Sequence, residues 1–269
     1  MKLAIGFFDG VHLGHRAILA GADAALTFSN HPLSVLAPER APKLITQPAV
    51  RLAELKKCVP AVHVLEFDAA LAAVTPLSFL RRLLRRFPDL EVVRCGDNWR
   101  FGAGGAGDAR FLRERGLRVE VVPYATWRGF RVSSTRIRSA LAEGDVAAAS
   151  AMLGRPYALE GAVRAGKGLG RDLGFPTINV APDAEPPLRR GVYAVDTPLG
   201  RGLANWGVAP SAGDAAWASP VLEVHLEKRP EAVPGRFSAT LRRFLRDERK
   251  FETREALVAQ IAADAMAAF

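Results

Sequence analysis

The stretch that most constrains this chain is Gly6-Phe7-Phe8-Asp9-Gly10-Val11-His12-Leu13-Gly14-His15, set between the apolar run Leu3-Ala4-Ile5 and the helix-forming Arg16-Ala17-Ile18-Leu19. It reads as strand, glycine loop and helix start. Glycines let a backbone turn tightly and approach a ligand closely, and a helix start turns free N–H groups and a positive dipole end toward it. Such a place suits phosphate. His12 and His15 are three residues apart, so on a helix they share a face and reach one anion, with a triphosphate as the natural ligand. A histidine pair at this spacing also occurs in metal sites, with His31 as a third candidate ligand. Zinc sites, however, bring cysteines or carboxylates at a fixed spacing that is missing here. A merely structural loop with two surface histidines fits poorly with the flanking glycines and the place straight after a first strand.

With 269 residues the chain can form one large domain or two ordinary ones, and its 49% apolar content suits a globular protein. No stretch has the apolar length of a membrane span, and the N-terminal run is too short for a signal-peptide core, so a cytoplasmic protein without a membrane partner is expected. Cys58 and Cys95 are the only cysteines, which fits a reducing compartment. The net charge of +9 is concentrated in residues 1–150, which hold 21 Lys+Arg against 14 Asp+Glu. That excess attracts polyphosphates or nucleic acid. Part of it is simply a solvated face: Arg81-Arg82 and Arg85-Arg86 fall opposite Leu80, Leu83 and Leu84 on an amphipathic helix.

Residues 24–28 read as a second strand ending in Ser29-Asn30-His31-Pro32, and Pro48 opens a helix carrying Leu52 and Leu55. Strands follow at 62–67, 91–95 and 117–122, with a helix from Thr75-Pro76 and a polar, aromatic loop from Gly96 through Asp97 to Gly102. Strands alternating with helices predict a parallel, doubly wound α/β sheet whose ligand crevice lies beyond the strand C-termini. Ser133-Ser134-Thr135-Arg136-Ile137-Arg138 looks like a helix N-cap offering hydroxyls and guanidinium forks, a second anion clamp or only a capped helix.

A helix over 145–153 closes the first domain, expected to span 1–153, and a linker at 154–157 opens the second, 154–269. Short β-type runs at 191–195, 202–205, 221–226 and 236–241 then suggest an antiparallel barrel, ending in an amphipathic helix capped by Thr253. Within Gly166-Lys167-Gly168-Leu169-Gly170-Arg171 and on through Pro176-Thr177-Ile178-Asn179, a glycine loop with two cations precedes a strand on which Thr177 and Asn179 face one side. Hydroxyl and amide oxygens suit Mg²⁺ alongside nucleotide phosphates. Glu223, a carboxylate inside an apolar strand, is either functional or a paired structural group.

Taken in order, GFFDGVHLGH, TFSNHP, the Gly96–Gly102 loop, SSTRIR, AEGDVAAASAMLGRPY, GRDLGFPTIN, GVYAV and VLEVHL resemble the bacterial bifunctional riboflavin kinase/FAD synthetase family nearly end to end. The resemblance implies a Rossmann-like nucleotidyltransferase domain making FAD from FMN and ATP, followed by a riboflavin kinase barrel with a C-terminal helix making FMN. It implies that Gly6, Phe7, Asp9, Gly10, His12, Gly14, His15, Asn30, Asp97, Ser134, Thr135 and Arg138 serve ATP in the first reaction. His12, His15 and Arg138 would be catalytic there. In the kinase half, Gly166, Lys167, Gly170, Arg171, Pro176, Thr177 and Asn179 would bind ATP, with Thr177 and Asn179 on Mg²⁺. Gly191, Tyr193, Glu223 and Arg246 would bind flavin, Glu223 also being catalytic.

Three stretches depart from the family pattern: Gly105 stands where many relatives are basic, Ala209-Pro210-Ser211 replaces Arg-Pro-Thr, and Pro234 replaces a tyrosine. The last two keep open an alternative of FAD synthetase activity only, in which the barrel is a weak or inactive kinase acting as a flavin-binding or regulatory module. Small-molecule partners and a monomer or weak homo-oligomer are expected. Nucleic acid is not, for no aromatic-studded RNA platform appears.

Overall fold

The computed structural model describes residues 1–164, 177–208, 220–226 and 232–268. The chain forms two compact units, Met1–Pro42 with Pro48–Ser133, and Lys43–Gln47 with Ser134–Phe269.

In the first unit the elements run β1 (Lys2–Ile5), α1 (Leu13–Leu19), β2 (Ala24–Phe28), α2 (Leu33–Leu36), α3 (Pro48–Lys56), β3 (Ala61–Leu65), α4 (Ala69–Ala72), α5 (Pro76–Arg86), β4 (Val92–Gly96), α6 (Ala109–Arg113) and β5 (Arg118–Val122). A two-stranded hairpin follows, β6 (Thr126–Trp127) and β7 (Phe130–Arg131). The five long strands make a parallel sheet in the order β3-β2-β1-β4-β5. Alternation along β1 explains how both faces are buried. Leu3 and Ile5 pack on one side with Phe79, Leu80 and Leu83 of α5, while Ala4 packs on the other with Leu19 of α1 and Leu55 of α3. Helix α5 starts where expected, Thr75 Oγ1 accepting from the Ser78 N–H at 3.2 Å ahead of Pro76, and its four arginines are exposed. The strand order reverses between β1 and β4, so a ligand crevice belongs beyond the C-terminal ends of those two strands.

The second unit begins with α7 (Ser134–Glu143) and α8 (Val146–Leu153) and continues as β8 (Ala158–Arg164), β9 (Thr177–Pro182), β10 (Gly191–Thr197), β11 (Gly200–Gly207), β12 (Val221–Leu226), β13 (Arg236–Arg246) and α9 (Arg254–Ala268). Its strands close an antiparallel barrel in the order β10-β11-β12-β9-β8-β13. Period-two alternation sets its interior: Leu222, Val224 and Leu226 are at most 1% exposed, and Glu223 and His225 lie on the opposite face of the same strand. Helices α7 and α8 belong to this unit, the Leu141 carbonyl accepting from Arg189 N and Ser150 Oγ from Tyr157 N. The texture change near residue 154 therefore falls inside the second compact unit. Thr253 caps α9, as its place predicts, by accepting from Ala256 N at 3.2 Å. Among the described residues, no helix is long and apolar enough to cross a membrane.

Candidate active sites

In the first unit the loop after β1 is contorted and held from behind. Phe8 (φ 57°), Gly10 (φ 86°) and Val11 (φ 42°) all take left-handed backbone conformations, and the Phe8 and Val11 side chains are sunk in the core at 2% and 0% exposure. His12 then caps α1. Its Nδ1 accepts from the His15 N–H at 3.2 Å, which makes Nδ1 an acceptor and leaves the ring proton on Nε2. The His12 and His15 rings stack with centroids 3.5 Å apart and planes 17° from parallel. Gly14 makes room for them: a Cβ there would come 3.1 Å from His12 Cε1.

Arg51 of α3, 1% exposed, underlies this loop. Its Nη1 donates to the Phe7 carbonyl (2.6 Å) and Thr27 Oγ1 (3.3 Å), and its Nη2 to the carbonyls of Phe28 (2.7 Å) and Ser29 (3.3 Å). The guanidinium also lies 4.0 Å from the centroid of the Phe7 ring. Burial pulls its pKa down, against the opposing pull of the Asp9 carboxylate, itself 2% exposed.

The other residues expected in this unit occupy strand ends. Asn30 bridges backbone to backbone, its Nδ2 donating to the Phe67 carbonyl and its Oδ1 accepting from Phe67 N, both at 2.9 Å. Asp97, just past β4, takes both guanidinium arms of Arg131 at 2.7 and 3.0 Å. Ser134, Thr135 and Arg138 open α7 in the second unit, where Arg138 Nε donates to the Lys43 carbonyl at 2.9 Å.

On the barrel, strand register brings the expected kinase residues together. Glu223 of β12 lies opposite Asn179 of β9 and Asn205 of β11, and His225 lies opposite Thr177, so these side chains share one face. Thr177 Oγ1 and His225 Nδ1 are 3.1 Å apart in a hydrogen bond. Burial drives the His225 pKa down to about 4, and the ring is neutral at pH 7. Burial, with the Glu248 carboxylate second, raises the Glu223 pKa. Glu248 Oε1 accepts from Asn205 Nδ2 at 3.1 Å and lies over Gly207, where a Cβ would have to displace it. The hydroxyl of Thr177, amide of Asn179 and carboxylate of Glu223 are hard oxygen donors of the kind magnesium takes beside phosphates and water. Among the described residues, no three His, Cys, Asp or Glu side chains gather as a metal-holding group.

Three residues expected to contact flavin also hold the framework together. Tyr193 is fully buried, its hydroxyl donating to the Arg189 carbonyl at 2.6 Å, and a Cβ on Gly191 would sit 2.3 Å from the Arg246 carbonyl oxygen. Arg246 grips the Asp264 carboxylate of α9 through Nε and Nη2 at 2.7 to 3.0 Å. Gly166, Lys167, Gly170, Arg171 and Pro176 lie outside the described residues, as do Ala209-Pro210-Ser211. Sequence reasoning missed Arg51, His225 and Glu248. Arg51 had a signal: it stands four residues before Leu55, on the stripe of α3 that must be buried.

The FAD synthetase family model matches residues 1–136, and the riboflavin kinase model residues 153–269. The bifunctional riboflavin kinase/FMN adenylyltransferase of Escherichia coli (strain K12) is 37% identical over 293 residues, covering 99% of this chain and 91% of that protein. The chain belongs to the bifunctional riboflavin kinase/FMN adenylyltransferase family. A second relative, from Pseudomonas fluorescens, is 34% identical over 98% of this chain and 90% of its own length; one from Bacillus subtilis (strain 168) is 30% identical over 97% and 89%. Among solved structures, one described as a macrolide-efflux protein from Streptococcus pneumoniae has a TM-score of 0.86 at 26% identity, covering 99% of this chain and 93% of that one.

Proposed function

We propose that this chain makes FAD from riboflavin in two ATP-dependent reactions, phosphorylation in the barrel and adenylyl transfer at the parallel sheet. The observation that carries the reading is that each unit holds a cluster of side chains suited to phosphate chemistry, although Ser134, Thr135 and Arg138, expected beside the histidines, belong to the second unit. At the sheet the cluster is the stacked His12 and His15 at the N-terminus of α1, beside the topological switch point. On the barrel it is Thr177, Asn179 and Glu223 on one face.

In adenylyl transfer, a phosphate oxygen of FMN attacks the α-phosphorus of ATP, and the bond to the β-phosphate breaks to release pyrophosphate. Charge grows on the α-phosphate oxygens and the leaving group. The Nε2–H of His12, fixed by the cap at Nδ1, and the His15 ring would donate to that charge, and Gly6, Phe7, Asp9, Gly10 and Gly14 would shape the loop around it. In the kinase reaction, Glu223 would take the proton from the ribityl hydroxyl as its oxygen attacks the γ-phosphorus and ADP departs. A carboxylate made more basic by burial suits that task. Thr177 and Asn179 would hold magnesium, which when bound neutralises phosphate charge.

The test incubates the protein with riboflavin, ATP and Mg²⁺ and separates the flavins by chromatography. FMN followed by FAD is expected. FMN with no FAD refutes the sheet assignment; FAD from supplied FMN but nothing from riboflavin refutes the barrel assignment.

A further inference from the structure

Arg51 makes its hydrogen bonds to neither α1 nor the histidines, yet it is the most deeply buried Lys or Arg of the first unit. Its four acceptors belong to two strand ends: Phe7 just past β1, and Thr27, Phe28 and Ser29 at the close of β2. A second arginine works on the same loop. Arg16 Nε donates to the Val11 carbonyl at 3.3 Å while its Nη2 pairs with Glu54 of α3 at 3.0 Å. Thus α3 sends its influence into the loop at both ends, directly through Arg51 and by way of Glu54 and Arg16.

The peptide plane decides what this does. In a trans peptide the carbonyl and the following N–H point in opposite directions. With the Phe7 carbonyl drawn to Arg51, the Phe8 N–H is turned to the side away from α3. With the Val11 carbonyl drawn to Arg16 of α1, the His12 N–H points away from that guanidinium. Arg51, together with the Thr27 hydroxyl that donates to the same Phe7 carbonyl at 3.0 Å, keeps that carbonyl dipole off the opposite side of the loop, where it would repel a phosphate, and turns the Phe8 N–H to that side.

We propose that Arg51 is a positioning residue for adenylyl transfer, fixing the Phe7–Phe8 peptide so that the loop presents an N–H rather than a carbonyl to the ATP phosphates. The proposal rests on the reading of the sheet unit as the adenylyltransferase. Lysine is an incomplete substitute, because one ammonium on a flexible stem cannot hold four acceptors on two strand ends as a planar fork does.

The test compares Arg51→Met and Arg51→Lys with the unaltered chain, measuring kcat and KM for ATP in FMN adenylylation, and riboflavin phosphorylation in the same preparations. Misplacing reacting groups by about 1 Å costs about 100-fold. Arg51→Met is expected to lose about that factor in adenylylation kcat/KM with phosphorylation within about twofold, and Arg51→Lys to recover about tenfold of it. Equal loss of both activities, or an adenylylation rate in Arg51→Met within about threefold of the unaltered chain, overturns the proposal. Should Arg51→Met fail to fold, Arg51→Lys decides alone: about tenfold slower adenylylation with intact phosphorylation supports the role, and two unchanged activities refute it. If the unaltered chain forms no FAD from FMN, the reading of the sheet unit has failed instead.

Discussion

Because His12 does two separable things, its replacement can be designed to remove one and keep the other. Through Nδ1 it caps α1, accepting from the His15 N–H at 3.2 Å, and through Nε2–H it is proposed to donate to phosphate. Asparagine is among the best N-cap residues and supplies an acceptor oxygen where Nδ1 stands, but it is too short to place a donor where Nε2 was. His12→Asn is therefore expected to leave the melting temperature within about 1 °C, since the cap survives. His12→Ala loses the cap, about 1 kcal/mol, and lowers the melting temperature by about 3 °C in a unit of this size. Both variants lose the donor to developing phosphate charge, which costs about 100-fold to 1000-fold in kcat. The assay follows FAD formation from FMN by chromatography, with calorimetric melting and riboflavin phosphorylation on the same samples. FAD formation by His12→Asn within about threefold of the unaltered chain would refute the donor role. If His12→Asn melted as low as His12→Ala, the capping argument would fall.

Three further outcomes follow from the barrel. Glu223 has a folded pKa raised by burial and by Glu248, so its contribution is fully present below its unfolded value and is lost as pH rises through the folded one. Glu223→Gln should raise the melting temperature at pH 8 but not at pH 4 while abolishing phosphorylation; a variant less stable at pH 8 would contradict this. His225 runs the other way: its pKa is lowered from 6.5 to about 4, and it contributes stability above pH 6.5 that is lost as pH falls toward 4, about 3 kcal/mol in all. His225→Asn should flatten the urea-unfolding free energy across that window, and an unchanged acid slope would refute the assignment. Asp264→Asn leaves the Arg246 guanidinium, 14% exposed, without its carboxylate and should cost about 3 kcal/mol by urea unfolding. A change below about 1 kcal/mol would show the pair to be dispensable.

Much of this fold is legible in the sequence because its signals are local. The loop from Gly6 to His15, the Thr75-Pro76 helix start and the alternation in residues 221–226 each declare themselves within ten residues. Arg51 is harder, since its partners Phe7, Thr27, Phe28 and Ser29 are 22 to 44 residues away and are main-chain groups in all but one case. No side-chain pattern announces a carbonyl. Glu248 was hidden for a related reason: it reaches Asn205 from 43 residues away, after β13 has crossed the barrel. The membership of α7 and α8 was also hidden. Ile137, Leu141, Met152 and Leu153 show that these helices bury a face, but hydrophobicity does not say which core receives it.

Phe8 and Val11 are two bulky residues at φ 57° and 42° whose side chains are immersed in the core. Such backbone is disfavoured by about 1 to 2 kcal/mol per residue, so it lasts only where packing dictates it. The ATP proposed to bind at this loop would meet a mould already cast. The free energy of its binding need not be spent on ordering the chain and stays available for telling one phosphate ester from another. The same rigidity limits how the loop can be redesigned: glycine at Val11 would ease the backbone but empty a place in the core, exchanging a small strain for a void.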